Sequence, residues 1–248
     1  KIEFVFCCDA NFGILPRDRD IVSYFAQIKR KEGYPKVLSV QNTKNSTDAL
    51  YDIYKIMSDA KLNKGVGLSL QSFNAKTLRD IKRENISIDT FKQLQEKFTG
   101  EGIETFTDLI LGLPSETYET FTEGVSSVIE NGQHNRIQFN NLSILPNAQM
   151  AEPEYQNKFG LHIVETKIIN IHGRLNDTQE VYEIQKLVVG TNTMAEPDWL
   201  KVRVFSWMAA LLHFDKLLQI PFIILHNAYS VTFRELIEAF MDNNINSP

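Results

Sequence analysis

The chain has 248 residues, of which 43% are hydrophobic and 23% are charged. These fractions are close to the globular average, which excludes a disordered or collagen-like chain. The formal net charge of −5 predicts no broad basic surface, so nucleic acid is not an expected partner. The two cysteines, Cys7 and Cys8, are adjacent, which gives neither a disulfide framework nor a complete metal site and indicates a reducing, cytoplasmic compartment.

Five apolar runs rich in β-branched and aromatic residues start about 30 to 37 residues apart, which is the length of a strand–helix–strand unit. They are residues 2–8, 36–41, 65–72, 103–111 and 136–144. Segments with helical periodicity lie between them, at residues 21–28, 50–57, 88–98 and 121–129. Ser87 and Ser115 are the expected N-caps of the third and fourth of these helices.

The alternation of strands and helices predicts an α/β fold in which helices cover a parallel sheet. The strands are almost entirely apolar, as expected for strands that are buried on both faces. Five such units fit either an open doubly wound sheet or an incomplete (β/α) barrel. Both architectures place their chemistry at the carboxyl ends of the strands.

The pattern changes after Pro146, so we expect a core of residues 1–148 and an α+β C-terminal extension of residues 149–248. Two strands are predicted at 163–171 and 181–189, followed by a long helix at 197–219 and a short amphipathic helix at 232–241. The longest uncharged stretch contains Pro221 and polar residues, so no membrane span is expected.

Polar side chains follow the first strand. Asp9 and Asn11 share one face because side chains alternate along a strand, and a carboxylate and an amide there could bind an ammonium group and a hydroxyl. The alternative is a simple turn, because Asp and Asn favour turns and Gly13 allows a positive φ.

Two further groups follow the third strand. Gln71 and Ser72 can both donate and accept hydrogen bonds, which suits a ribose or a carboxylate. Arg83, one helix later, could pair with a ligand carboxylate. The alternative is that Asn74 caps the next helix with the help of Ser72, and that the basic pair ending in Arg83 completes the last turn of that helix.

The last two strands end in mainly apolar groups. Gly112, between Leu111 and Leu113, allows the backbone to approach a ligand closely. Asn140 and Leu145 offer an amide and an apolar group that could hold an adenine ring. The alternative, which these residues alone favour slightly, is a strand end followed by a Pro-Asn turn. The chain contains no Walker A, G-x-S-x-G or G-x-G-x-x-G signature, and its five histidines form no H-x-x-x-H pair.

Four of these runs, taken together and in order, resemble the radical S-adenosylmethionine superfamily. They are DANFG at 9–13, SLQSFN at 69–74, LILGLPSET at 109–117 and ILPN at 144–147. The resemblance is to the branch that often carries an N-terminal cobalamin-binding domain and includes anaerobic magnesium-protoporphyrin ester cyclases and methyltransferases. It covers nearly the whole chain, including the C-terminal part.

The resemblance implies a partial (β/α) barrel with five of the six parallel strands of the family's core. It also implies three cofactors, a 4Fe-4S cluster, S-adenosylmethionine and cobalamin. The family holds its cluster with a C-x-x-x-C-x-x-C motif, which this sequence lacks. We therefore expect the cluster-bearing strand to lie before Lys1 in a longer parent protein, and we expect these residues alone to be inactive.

The resemblance also implies roles for the residues at the strand ends. Asp9 and Asn11, with the adjoining Phe12, correspond to the motif that contacts the methionyl amino group. Gln71 and Ser72 correspond to the contacts with ribose or carboxylate, and Arg83 to a carboxylate partner. The segment Leu111, Gly112 and Leu113 packs on the nucleoside in the family, and the segment from Asn140 to Leu145 lines the adenine.

The implied reaction is reductive cleavage of S-adenosylmethionine to a 5′-deoxyadenosyl radical, for methyl transfer, cyclisation or rearrangement of a small-molecule substrate. The expected electron donor is of flavodoxin or ferredoxin type. One alternative is a catalytically dead partial barrel that serves as a binding or scaffold module, and another is an unrelated (β/α) enzyme. An incomplete barrel exposes the edge of its first strand, so self-association or covering by the C-terminal segment is expected.

Overall fold

The computed structural model describes residues 1–9, 11–41, 48–63, 65–68, 70–168 and 183–241. The strands are β1 (Phe4–Phe6), β2 (Val37–Ser39), β3 (Val66–Gly67), β4 (Thr105–Leu111), β5 (Ile137–Asn141), β6 (Ser143–Ile144), β7 (His162–Lys167) and β8 (Ile184–Gly190). The helices are α1 (Pro16–Glu32), α2 (Asp48–Asp59), α3 (Ala75–Asp80), α4 (Ile88–Gly100), α5 (Tyr118–Glu130), α6 (Pro153–Phe159), α7 (Glu196–Ala209), α8 (Gln219–Tyr229) and α9 (Phe233–Glu238). Strands and helices alternate through α5, which confirms the predicted α/β class.

The strands form three small sheets among the described residues. Strand β1 pairs with β2 in parallel, and a second sheet has the order β3-β4-β5, with β3 parallel to β4. The third sheet is antiparallel and has the order β6-β8-β7. Strands β7 and β8 match the described parts of the strands predicted at 163–171 and 181–189, and residues 169–171 and 181–182 of those predictions lie outside the described residues.

The predicted strand at 136–144 is two strands, because the chain changes its pairing partner at Leu142. The main-chain N–H of Leu142 donates to the carbonyl of Leu111 at the end of β4 (3.0 Å). The carbonyl of Leu142 accepts from the N–H of Val188 in β8 (2.9 Å). Strand β5 therefore belongs to the second sheet and β6 to the antiparallel sheet.

Two compact units make up the chain, and each consists of several segments. The first unit contains Lys1–Gln71, Glu84–Leu109 and Ser127–Gln138, and the second contains Ser72–Arg83, Ile110–Ser126 and Phe139–Pro248. In the first unit, α2 and α4 bury large apolar side chains such as Ile53, Met57 and Phe98. In the second, Leu113, Leu142, Ile144 and Val188 form a buried cluster. The boundary at 148/149 stays a prediction.

Of the two predicted helix caps, one is observed and the other is not. Ser87 caps α4 as predicted, because its hydroxyl accepts from the N–H of Thr90 (3.0 Å). Ser115 is not the cap of α5. It has a φ of 64°, its hydroxyl donates to Asp80, and the hydroxyl of Thr117 accepts from the N–H of Thr120 (3.2 Å) at the start of the helix.

The long helix predicted at 197–219 is interrupted. Helix α7 passes into one π-helical turn, Ala210–Phe214, in which the N–H of Asp215 donates to the carbonyl of Ala210 (2.7 Å). Lys216 then has a φ of 65°, which ends the helical path before α8 begins. Among the described residues, no single helix is long and apolar enough to cross a membrane, although α7 with its π turn and α8, bent by 94°, pass that test as a pair.

Candidate functional site

The residues after β1 form a tight turn in the first unit. The side-chain oxygen of Asp9 accepts from the main-chain N–H of Asn11 (2.9 Å), which is the geometry of an Asx turn. Asn11 is exposed, whereas Phe12 is buried and its N–H donates to the carbonyl of Gln41 (3.0 Å). The structure therefore has a turn at Asp9 and Asn11, which the sequence left open as the alternative to a binding site. The binding roles of Asp9, Asn11 and Phe12 stay predictions.

Gln71 also lies in the first unit, and its backbone is strained. Its φ is 61°, which few residues other than glycine adopt. Its N–H donates to the carbonyl of Asp108 (2.9 Å), and it forms an isolated parallel bridge with Leu109. Its side chain is buried. A strained residue at the carboxyl end of a strand is a typical functional position.

The first unit also contains a cleft of about 480 Å³, which lies away from the predicted residues. Its walls include Val37, Thr105, Arg136 and Gln138. Thr105 begins β4, and Arg136 and Gln138 flank the first residue of β5, so the cleft lies at the amino ends of these strands. Ligands of parallel α/β folds bind at the opposite, carboxyl ends.

In the second unit, Ser72 connects the segment after β3 to the turn between β4 and α5. The Ser72 hydroxyl donates to the Glu116 carboxyl (2.5 Å) and accepts from the N–H of Asn74 (3.1 Å). Asn74 caps α3 by accepting from the N–H groups of Lys76 and Thr77 (2.8 and 3.1 Å). The capping geometry that was left open as the alternative is therefore observed. Whether Ser72 also contacts a ligand stays a prediction.

Arg83 follows α3 and is exposed. Its N–H donates to the carbonyl of Leu78 (2.8 Å), which continues the helical turn. Within the ranges that the structure describes, no carboxylate lies within 4.0 Å of its guanidinium. The role of Arg83 as a partner of a ligand carboxylate stays a prediction.

Gly112 allows a close backbone approach at the end of β4. Its φ is 81°, and a Cβ added there would lie 3.2 Å from the carbonyl oxygen of Val188 and 3.5 Å from the indole of Trp199. Leu111 and Leu113 on either side have buried side chains. Only glycine satisfies both the conformation and the space at this position.

The two predicted residues from the fifth strand differ in exposure. Asn140 lies in β5 and is half-buried. Leu145 follows β6 and is 65% exposed. The hydrogen bond from Leu142 to Leu111 joins the ends of β4 and β5, so the structure brings the Leu111 and Asn140 segments together within the second unit.

Glu116 is a site residue that the sequence did not reveal. Its side chain is only 1% exposed, and burial raises the pKa of its carboxyl to about 8, against the opposing effect of the Ser72 hydroxyl. Its Oε2 atom has no hydrogen-bond partner among the described residues. Its main-chain carbonyl accepts from the Thr193 hydroxyl (2.7 Å). By position it resembled an ordinary first-turn acid, and spacing gives no signal of burial.

The described residues do not fit a metal cluster. No three His, Cys, Asp or Glu side chains among them lie close enough together to hold a metal ion. Cys7 is half-buried, Cys8 is exposed and both are free thiols. The position of the ligands of a 4Fe-4S cluster stays a prediction.

Known proteins were compared with the chain at the level of family, sequence and fold. No family profile matches it. It is 35% identical over 242 residues to the cobalamin-dependent radical SAM methyltransferase TokK of Streptomyces tokunonensis, covering 97% of this chain and 35% of TokK. It is 37% identical over 213 residues to the 2-(S-pantetheinyl)-carbapenam-3-carboxylate methyltransferase of Streptantibioticus cattleyicolor, covering 86% of this chain and 31% of that enzyme.

The fold has solved counterparts. The radical S-adenosylmethionine methyltransferase TsrM of Kitasatospora setae, with tryptophan and the analogue aza-SAM bound, superposes with a TM-score of 0.56 at 13% identity, over 82% of this chain and 42% of TsrM. A TsrM structure with cobalamin and a [4Fe-4S] cluster gives a TM-score of 0.54 at 12% identity, over 83% of this chain and 42% of that one.

These similarities define the class of protein. The chain is a relative of the radical S-adenosylmethionine enzymes. More particularly, both relatives are methyltransferases, and TokK is a cobalamin-dependent radical SAM enzyme, which confirms the resemblance found in the sequence. The chain spans about a third of the length of the curated relatives it matches.

Proposed function

We propose that the chain is the S-adenosylmethionine-binding part of a cobalamin-dependent radical methyltransferase. The observation that carries this proposal is the 35% identity to TokK over 97% of the chain. The cofactors named for the relatives and for TsrM are cobalamin, S-adenosylmethionine and a [4Fe-4S] cluster, and they are the three that the resemblance implied. For the architecture, we propose an incomplete (β/α) barrel, supported by the parallel pairing of β1 with β2 and of β3 with β4.

The protein's own residues would bind and orient the cofactor. In the first unit, Asp9 would supply a carboxylate for a methionyl ammonium group. In the second unit, Arg83, whose guanidinium has no carboxylate within 4.0 Å among the described residues, would supply a cation for a methionyl carboxylate. Gly112 lets the backbone approach the nucleoside, and Asn140 supplies an amide for the base. A cluster held elsewhere in the complete protein would supply the electron for cleavage of the sulfonium C–S bond. The surrounding protein shields the resulting radical from water.

The substrate is proposed to be a small molecule, as it is for the carbapenam-3-carboxylate methyltransferase. The electron donor is proposed to be a flavodoxin or a ferredoxin. A scaffold without catalysis is the second candidate, favoured by the lack of a cluster of metal ligands among the described residues.

The test uses the complete gene product, reconstituted without oxygen with iron, sulfide and cobalamin. Incubation with S-adenosylmethionine and a reductant should release 5′-deoxyadenosine, measured by chromatography and mass spectrometry. Arg83→Gln should weaken S-adenosylmethionine binding by about tenfold, because it removes one charge-assisted contact. Arg79→Gln, an exposed arginine in α3, is the matched control and should leave binding unchanged. A colourless protein that releases no nucleoside would support the scaffold instead.

A further inference from the structure

Helix α8 of the second unit exposes an apolar face. Ile220, Ile224 and Leu225 are 70%, 57% and 37% exposed, and Pro221 between them is exposed as well. Residues that are three or four apart lie on the same side of a helix, so these four share one side, which we call the outer face of α8. All four side chains are apolar.

The opposite side of α8 makes its contacts within the second unit. Phe222 is buried, and its ring centre lies 6.0 Å from that of Phe240. The ring of His226 packs on Phe233 at 4.8 Å, and its Nδ1 atom lies 2.9 Å from the carbonyl oxygen of Val231. The helix contains no Asp, Glu, Lys or Arg. A helix that is apolar on both sides is typical of an element that is covered on both sides.

Helix α4 shows the contrasting pattern of an ordinary surface helix. Lys92, Glu96 and Lys97 are exposed, whereas Phe91 and Phe98 are buried. Charged residues thus face the solvent and apolar residues face the core, as in most amphipathic helices. The outer face of α8 departs from this pattern. A contiguous group of exposed apolar side chains marks an interaction surface.

Charge and size distinguish between the possible occupants of this surface. A helix that lies on a membrane carries Lys or Arg on its polar side, and α8 has neither. A stable interface between two copies buries about 800 Å² on each, which four side chains of an 11-residue helix do not provide. A smaller contact is effective when both surfaces belong to one polypeptide, because the covalent link supplies a high effective concentration.

We propose that the outer face of α8 packs against a part of the complete protein that lies outside residues 1–248. The chain covers 35% of TokK and 31% of the carbapenam-3-carboxylate methyltransferase, so the larger part of each relative lies outside the aligned region. The covering segment presents an apolar surface of its own, since the exclusion of water from two apolar surfaces provides the driving force. The contact is independent of which cofactors the protein binds.

The experiment uses photo-cross-linking in the complete protein. A benzophenone amino acid replaces Ile220 in one variant and Lys92, on the charged face of α4, in the matched control. After irradiation, denaturing electrophoresis gives the mass of the product and mass spectrometry identifies the joined peptides. Position 220 should be joined to a peptide from outside residues 1–248, in a product with the mass of one chain. Position 92 should not be joined to that peptide.

Three results at position 220 would overturn the inference: a product with the mass of two chains, a link only to residues 1–248, or no link. A second variant guards against a local effect of the bulky label. Ile224→Lys should lower the thermal unfolding midpoint of the complete protein, because the new charge would be buried in the contact. Tyr24→Lys, at a 63% exposed position of α1, is its control. Equal midpoints of these two variants would contradict the proposal.

Discussion

Glu116 makes the stability of the protein depend on pH. Its carboxyl ionises near 4.5 when exposed and at about 8 in the folded protein. A raised folded pKa means that stability is full below about 4.5 and is lost as pH rises towards about 8, by about 1.4 kcal/mol per pH unit. Glu116→Gln cannot ionise, so urea unfolding at pH 5 and pH 8 should show a smaller loss for this variant. Glu152→Gln, at an exposed position, is the control; equal pH slopes in all three proteins would contradict the assignment.

For individual site residues, the sequence predicted the type of side chain and its position at a strand end, but not the contacts that it makes. The spacing correctly identified Ser87 as a helix cap and left the cap role of Asn74 open as an alternative, because capping depends on nearby residues. It could not identify Glu116 as a buried residue, because its hydrogen-bond partners Ser72 and Thr193 lie 44 and 77 residues away along the chain. Long-range burial leaves no local signal in a sequence.

At the scale of a single element, the backbone conformation of the turn between β4 and α5 requires glycine at position 112. Gly112→Ala should destabilise the protein by about 1–3 kcal/mol, because alanine is strained at a φ of 81° and its Cβ would contact the Val188 carbonyl. Thermal unfolding measures the loss. Gly100→Ala is the matched control, since a Cβ there meets nothing within 4 Å, and it should be neutral or stabilising by up to about 1 kcal/mol. Equal effects of the two substitutions would refute the argument.

Elements with a strong local pattern were predicted and those set by tertiary pairing were not. The period-2 and period-3.6 patterns identified β1, β2, β4 and the helices between them. The change of partner at Leu142 was missed because one continuous apolar run contains both strands. The interruption after α7 was missed because the run from Val204 to Phe214 stays mainly apolar through the π turn.

At the scale of the whole molecule, the outer edge of β1 determines whether the chain self-associates. Among the described residues, β1 pairs only with β2, and Phe4 and Phe6 are 58% and 48% exposed. An open strand edge with exposed aromatic side chains favours self-pairing, so the 248-residue chain produced alone should self-associate. Light scattering after size exclusion should show Phe6→Lys shifted towards the monomer. Ile220→Lys, on the exposed face of α8, should leave the distribution unchanged; a monomeric parent chain would disprove the expectation.

The cysteines provide a second test at this scale. Cys7 and Cys8 are neighbours in a chain with only two cysteines, and neither belongs to a cluster of metal ligands among the described residues. The double change Cys7→Ser and Cys8→Ser should therefore leave the iron content and visible absorption of the complete, reconstituted protein unaltered. Loss of iron or of the visible absorption in this variant would indicate that these thiols are ligands of the cluster.

The two main-chain hydrogen bonds of Leu142 limit where the polypeptide can be divided into separate pieces. This one residue is bonded through its main chain both to the end of β4 and to β8. Cutting the chain after residue 148 would remove β8, strip β6 of its partner and uncover Leu113, Leu142 and Ile144, which pack against Val188. The C-terminal hundred or so residues therefore complete the core of the second unit, and their pairing is linked to Leu111 through the two successive peptide groups of Leu142.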